Sequence, residues 1–185
     1  MNPSIFIWLI GILWLILILY LIVAAIGVKQ DTQPHTWQRL ALTLAIIAAF
    51  LLPRLPIFRF LRFAPANPVV GVVGVILCAT GMAFLVWGRQ YLGRNWSQTV
   101  SVKKDHELVT SGPYRYVRHP MYAGGLLACF GSAIVGGGPW IFLLVILGAI
   151  FLWRVGAEDK LLKRQFPNEY ADYKKRTKAL IPFVW

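Results

Sequence analysis

Residues 120–153 read PMYAGGLLACFGSAIVGGGPWIFLLVILGAIFLW, and the way this run divides decides the fold. It holds 34 residues without a charge, too many for one spanning helix of ~20 residues. Gly136-Gly137-Gly138-Pro139 interrupts it, and glycine followed by proline punctuates a helix. The run therefore predicts two helices in a hairpin, each of about 15 residues, or ~22 Å at 1.5 Å per residue. Helices that short against a ~30 Å hydrocarbon core must borrow flanking residues, tilt, or border a thinned or water-filled region.

Toward the N-terminus three more apolar runs follow the same logic. Met1 to Val28 carries no charge and ends at Lys29. It lacks a basic start and exceeds a signal-peptide core, so it reads as a retained span. A second span is expected from about Trp37 to Pro53, where Pro53 and Pro56 interrupt the helix. Phe63 to Gly88 gives a third, with a clean run from Val69 to Trp87. Its Gly71, Gly74 and Gly81 would let a neighbouring helix approach closely. The expectation is an all-α integral membrane protein with five transmembrane helices, the last two a short hairpin.

Composition agrees with the patterning. Hydrophobic residues are 58% and charged residues 14% of the 185-residue chain, and mean hydropathy is +0.62. A soluble domain carries about a quarter charged residues. The net charge of +12 does not argue for nucleic acid, because the basic residues lie between and after apolar runs. With five spans and the N-terminus outside, 16 Lys and Arg fall on the inner side and three (Arg54, Arg59, Arg62) on the outer. Lys/Arg bias sets orientation, so the C-terminus and the segment 89–118 are expected at the cytoplasmic face. Cys78 and Cys129 sit inside apolar stretches with no CxxC and no Cys/His cluster. No disulfide and no metal site is expected.

Polar chemistry gathers in two places. Ser111 to Gly125 reads SGPYRYVRHPMYAGG, and ionisable residues at a membrane boundary are costly enough to suggest function. Arg118-His119-Pro120 is equally what a helix start with a snorkelling Arg looks like, since proline suits the first helical turn. Arg154 and Glu158 share a helix face four residues apart, the spacing of a simple ion pair. Two polar clusters on one side of the membrane, over short helices, make a pocket plausible. Leu162, Phe166, Tyr170 and Tyr173 have helical spacing, flanked by Lys163, Arg164, Lys174 and Lys175. They predict an amphipathic helix that lies on anionic lipid or covers a cytosolic cavity.

Taken in order, His106-Glu107-Leu108-Val109, Ser111-Gly112-Pro113-Tyr114 and Arg118-His119-Pro120-Met121-Tyr122 resemble the isoprenylcysteine carboxyl methyltransferase family. So do Arg154-x-x-x-Glu158, Phe166-x-x-Glu169-Tyr170-x-x-Tyr173 and Leu180-Ile181-Pro182-Phe183. The resemblance covers about half the chain, Asn95 onward, and its short form is similar to prokaryotic members. Where the family has several acidic residues after the Arg, this chain has Glu158-Asp159-Lys160. The resemblance implies an S-adenosylmethionine-dependent methyltransferase in a prokaryotic cytoplasmic membrane, without a Rossmann fold. Residues 1–88 would be a scaffold of three spans and 89–185 the catalytic half. By the same resemblance His106, Glu107, Leu108, Val109, Tyr114, His119, Pro120, Met121, Tyr122 and Glu158 would bind the cofactor. Arg154 would hold the acceptor, and Arg154 and Glu158 would be the catalytic pair.

The implied chemistry suits these side chains. Methyl transfer from a sulfonium is an in-line displacement that positioning and desolvation accelerate. An ionised carboxylate acceptor needs no base but does need a cation to orient it, and a guanidinium offers a planar fork. The expected partners are membrane lipids and a lipophilic acceptor entering from the bilayer, without nucleic acid or an obligate protein partner. Two other readings stand beside this one. An amine acceptor, as in phospholipid N-methyltransferases, would share the RHPxY region, and a non-catalytic membrane scaffold could keep the fold. Related sterol reductases have longer chains.

Overall fold

In the computed structural model, residues 4–26, 55–56, 67–96 and 108–181 are described. They form helices α1 (Ser4–Ala24), α2 (Pro68–Leu92), α3 (Pro120–Gly136), α4 (Gly138–Gln165) and α5 (Pro167–Arg176), with short 3-10 turns at Gly93–Asn95 and Gly112–Arg115. By length and composition, three of the helices can cross a membrane: α1, α2 and α4. Helix α3 is apolar but shorter, at 17 residues. The span expected over Trp37–Pro53 lies outside the described residues.

Local sequence sets the helix ends. Asn67 caps α2 through its side-chain oxygen, which accepts from the Val69 amide at 2.8 Å, and Pro68 occupies the first turn. The hairpin turns on Gly137, whose φ of 75° is a left-handed conformation that a side chain disfavours. That one residue ends α3 and starts α4.

Helix α4 corrects the expected length of the second hairpin arm. It runs for 28 residues, because the charged stretch from Arg154 continues the helix instead of ending it. The amphipathic helix expected across residues 162–173 is instead two pieces. Leu162 belongs to α4, Tyr170 and Tyr173 to α5, and Phe166 between them sits at φ −125°, ψ 64°. Pro167 is the cause, since proline drives the preceding residue out of helical geometry.

Glycine brings α2 and α3 into backbone contact. A Cβ on Gly124 would lie 2.5 Å from the Gly81 carbonyl oxygen, and one on Gly131 would lie 2.5 Å from that of Gly74. With little hydrophobic drive between helices in lipid, such close van der Waals packing holds them together. Trp14 of α1 donates to Ser132 Oγ at 3.0 Å and stacks on Trp140 at 5.5 Å, tying α1 to the hairpin.

Helices α1 and α2 run in the same direction. Phe6 packs on Gly71 near their N-terminal ends. At the other end the buried Arg89 donates to the carbonyls of Ala24 and, at 2.7 Å, Gly93. A cation there meets the negative ends of two helix dipoles. The chain therefore leaves α1 at the Arg89 end of the bundle and enters α2 at the opposite end. Gly88 lies against Pro120 and Met121, so α3 starts at the Arg89 end, and the C-terminal half of α4 returns to it. Among the described residues, the polar stretches around Arg89, Arg118 and Arg154 meet at that end.

Candidate functional site at the polar end of the bundle

The site begins with the first turn of α3 and the last four turns of α4. Pro120 opens α3 without an amide to satisfy, and His119 before it makes no side-chain cap to the helix. Its imidazole is used elsewhere. Nδ1 lies 3.3 Å from Glu158 Oε2, and Nε2 lies 3.6 Å from Asp159 Oδ1, just beyond hydrogen-bond reach.

Tyr122, one turn into α3, joins the two residues that α4 presents. Its hydroxyl accepts from Arg154 Nε at 2.9 Å and donates to Glu158 Oε1. Arg154 Nη2 reaches the same carboxylate oxygen at 3.4 Å, so the four-residue spacing does form the ion pair. The Tyr122 ring stacks between His119, at 5.5 Å and 6°, and Phe151, at 4.5 Å and 19°. The Arg154 guanidinium sits 5.6 Å from the centre of that ring, within cation–π range. The Arg154 side chain is 9% exposed and that of Glu158 22%.

A second layer closes over this cluster from the C-terminal side. Asp159 Oδ2 pairs with Lys174 at 2.7 Å, while its Oδ1 accepts from the Tyr170 hydroxyl and lies 3.5 Å from Arg118 Nε. Tyr173 donates to the Tyr114 carbonyl at 2.7 Å, and Arg118 Nη1 donates to that of Thr177 at 2.6 Å. Val117 and Lys178 form a parallel bridge, with the Arg118 and His119 amides donating to Lys178 and Ala179 at 2.8 and 3.0 Å. The Tyr173–Tyr114 contact is buried, so pairing that carbonyl avoids a desolvation cost of ~1–3 kcal/mol.

The electrostatics follow from that enclosure. Burial alone would lower the His119 pKa, but the hydrogen bonds and charges of Asp159 and Glu158 outweigh it, and the net shift is upward. Burial raises the Tyr114 phenol first, and the Glu158 charge raises it further. Tyr170 is also raised, by burial and then by its bond to Asp159. Both phenols therefore stay protonated donors near neutral pH.

The structure gathers His119, Tyr122, Arg154 and Glu158 into one cluster, with Tyr114 within electrostatic reach of Glu158, while Pro120 and Met121 lie against Gly88 of α2. Leu108 and Val109 are half-buried, without polar contacts to this cluster among the described residues. His106 and Glu107 lie outside the described residues. Sequence reasoning missed Asp159 as a hub, left Arg118 open between a snorkelling helix start and a functional residue, and read Tyr170 as part of an amphipathic face. The pairing of Glu158 with a second acidic residue was the available signal.

Residues 69–169 match the phospholipid methyltransferase family profile, a stretch that contains both halves of this cluster. The chain belongs to that family. Among curated relatives it is 30% identical over 143 residues to protein-S-isoprenylcysteine O-methyltransferase of Saccharomyces cerevisiae, covering 75% of this chain and 59% of the relative. It is 37% identical over 120 residues to the nickel-cobalt-cadmium resistance protein NccN of Alcaligenes xylosoxydans xylosoxydans, covering 61% and 48%. The solved structure of the eukaryotic intramembrane Ras methyltransferase, an isoprenylcysteine carboxyl methyltransferase, superposes with TM-score 0.56 at 22% identity, over 83% of this chain and 55% of that one. The fold is thus shared with that enzyme. The chain spans about half the length of the curated relatives it matches.

Proposed function

We propose that this family member is an S-adenosylmethionine-dependent membrane methyltransferase that esterifies a lipophilic carboxylate of the isoprenylcysteine type. The observation that carries the reading is the Tyr122 hydroxyl, which joins Arg154 to Glu158 where the apolar α3–α4 pair ends. A cation and an anion are thereby held a fixed distance apart at a lipid boundary, each partly desolvated. That suits a reaction between a cationic methyl donor and an anionic, greasy acceptor.

The residues present fit the donor. Glu158 offers a negative carboxylate to a cationic group, and His119 Nε2 is a buried polar atom with no hydrogen-bond partner among the described residues. When bound, S-adenosylmethionine would supply an electrophilic methyl on a sulfonium, the chemistry that suits an ionised carboxylate acceptor. His119 and Tyr122 hold the Glu158 carboxylate from two sides and limit its contact with water. Arg154 orients the acceptor through its planar fork, leaving neutral thioether and methyl ester as products. His106, Glu107, Leu108, Val109, Tyr114, Pro120 and Met121 complete the proposed cofactor surface. Residues 89–185 are then the catalytic half and 1–88 the scaffold, with the polar end cytoplasmic by Lys/Arg bias.

A phospholipid-type amine acceptor is the second reading, favoured by the description of the matching family. Arg154 argues against it, because a guanidinium repels a cationic amine. The test is methyl transfer from radiolabelled cofactor, in detergent, to a prenylcysteine analogue and to a membrane lipid extract. Base-labile label on the prenylcysteine is expected. Base-stable label on lipid amine supports the second reading, and no binding of S-adenosylhomocysteine overturns both in favour of a scaffold.

A further inference from the structure

Asp159 joins three separate elements of the polar end. It stands on α4, takes Tyr170 and Lys174 from α5, and faces Arg118 and His119 from the segment before α3. The proposed reaction leaves it without a part, since Glu158 beside it faces the cofactor surface. Adjacent helical residues point about 100° apart, yet Glu158 and Asp159 both face His119. They do so by taking opposite nitrogens of one ring, Nδ1 toward Glu158 and Nε2 toward Asp159.

A neutral imidazole has one N–H and one lone pair. Between two carboxylates that lone pair would face an anion. Imidazolium places an N–H on each side and removes the conflict. The other groups around the ring do not reverse this. Tyr122 stacks on it as a neutral phenol, and Tyr170 is bonded to Asp159. The cations Arg154, Arg118 and Lys174 each pair with one of the same two carboxylates.

We infer that Asp159 is a positioning residue, which holds His119 doubly protonated and in line so that His119 fixes the Glu158 carboxylate for the cofactor. The coupling is mechanical as well as electrostatic. Tyr170 and Lys174 anchor Asp159 to α5, so the C-terminal helix sets where the His119 ring lies. The inference deepens the proposed function, because the group that Glu158 awaits is the cofactor of that reading.

The experiment follows the His119 ring by 15N–1H NMR in detergent, its signals assigned by their loss in His119→Asn. In the wild type at neutral pH, both ring nitrogens of His119 should carry protons. A single protonated nitrogen overturns the inference without any variant of Asp159. In Asp159→Asn, which keeps the shape and removes the charge, the His119 titration midpoint should fall by about one pH unit or more. S-adenosylhomocysteine affinity should weaken about tenfold in the same variant. Asp159→Glu, which restores the charge on a longer arm, should recover most of the midpoint. An unchanged midpoint in Asp159→Asn overturns the inference. A midpoint that falls in Asp159→Asn while the wild type binds no S-adenosylhomocysteine supports the positioning of His119 and overturns the cofactor reading instead.

Discussion

The Nε–H of Arg154 points at the hydroxyl of Tyr122 at 2.9 Å, across the gap between α4 and α3. That hydroxyl passes the contact on to Glu158, so the ion pair on α4 is held by a residue from another helix. Tyr122→Phe keeps the ring stacked on His119 and Phe151 and removes only the bridge. Turnover and S-adenosylhomocysteine affinity should each fall about tenfold, the scale of a hydrogen bond to a charged group, with the helix content unchanged. Wild-type kinetics in Tyr122→Phe would show the bridge to be idle.

Arg154 separates the acceptor chemistries. Arg154→Lys keeps the charge and loses the fork, so a carboxylate acceptor should be turned over far less well. Arg154→Ala should be worse, with S-adenosylhomocysteine affinity near that of the wild type. An amine acceptor predicts that Ala is tolerated. If both variants lose cofactor affinity together, Arg154 serves only to hold Glu158.

His119 makes stability depend on pH. Its pKa is raised in the folded state above the ordinary 6.5, so its contribution is fully present below that value. The contribution disappears as pH rises through the folded value. Thermal unfolding in detergent should therefore show a midpoint that declines from about neutral pH upward, and His119→Gln should flatten the decline. An equal slope in both proteins would mean that other groups carry it.

The backbone contact between α2 and α3 makes a stability prediction of its own. Gly124→Ala places a methyl against the Gly81 carbonyl and should cost about 1–3 kcal/mol, as overpacking does. Gly156→Ala, where nothing lies within 4 Å of the added carbon, is the matched control. Equal melting temperatures for the two variants would refute the close approach.

Orientation can be tested at both ends of the hairpin. Cysteines introduced at Pro139, beside the hairpin turn, and at Lys178 should react with impermeant reagent from opposite sides of the membrane, Lys178 from the cytoplasmic one. Labelling of both from one side would end the proposed topology.

Much of this was legible because lipid makes sequence blunt. Charge-free runs gave α1, α2 and the hairpin, and the glycines at 136–138 located its turn. Counting charges failed for α4, because Arg154 marks a change of surroundings and not the end of the helix. Spacing alone failed across Phe166, where Pro167 overrides it. The motifs brought His119, Tyr122, Arg154 and Glu158 to attention, since their types are costly at a membrane boundary. Asp159 escaped because its partners, Tyr170 and Arg118, come from elements whose packing no local pattern reveals. The bond from Tyr173 to the Tyr114 carbonyl and the Val117–Lys178 bridge are likewise products of tertiary closure.

The glycine contacts between α2 and α3 also decide where the bundle is compliant. Two helices whose main chains touch can neither slide nor part without losing contact along their whole length, so they behave as one stiff plank. The α3–α4 seam is built from side chains, Tyr122 against Phe151 among them, and it is hinged at a single glycine, Gly137. Any widening that admits a bulky greasy molecule to the polar end costs least along that seam. The bundle's stiffness is thus distributed unevenly, rigid along α2 and α3 and yielding beside Arg154.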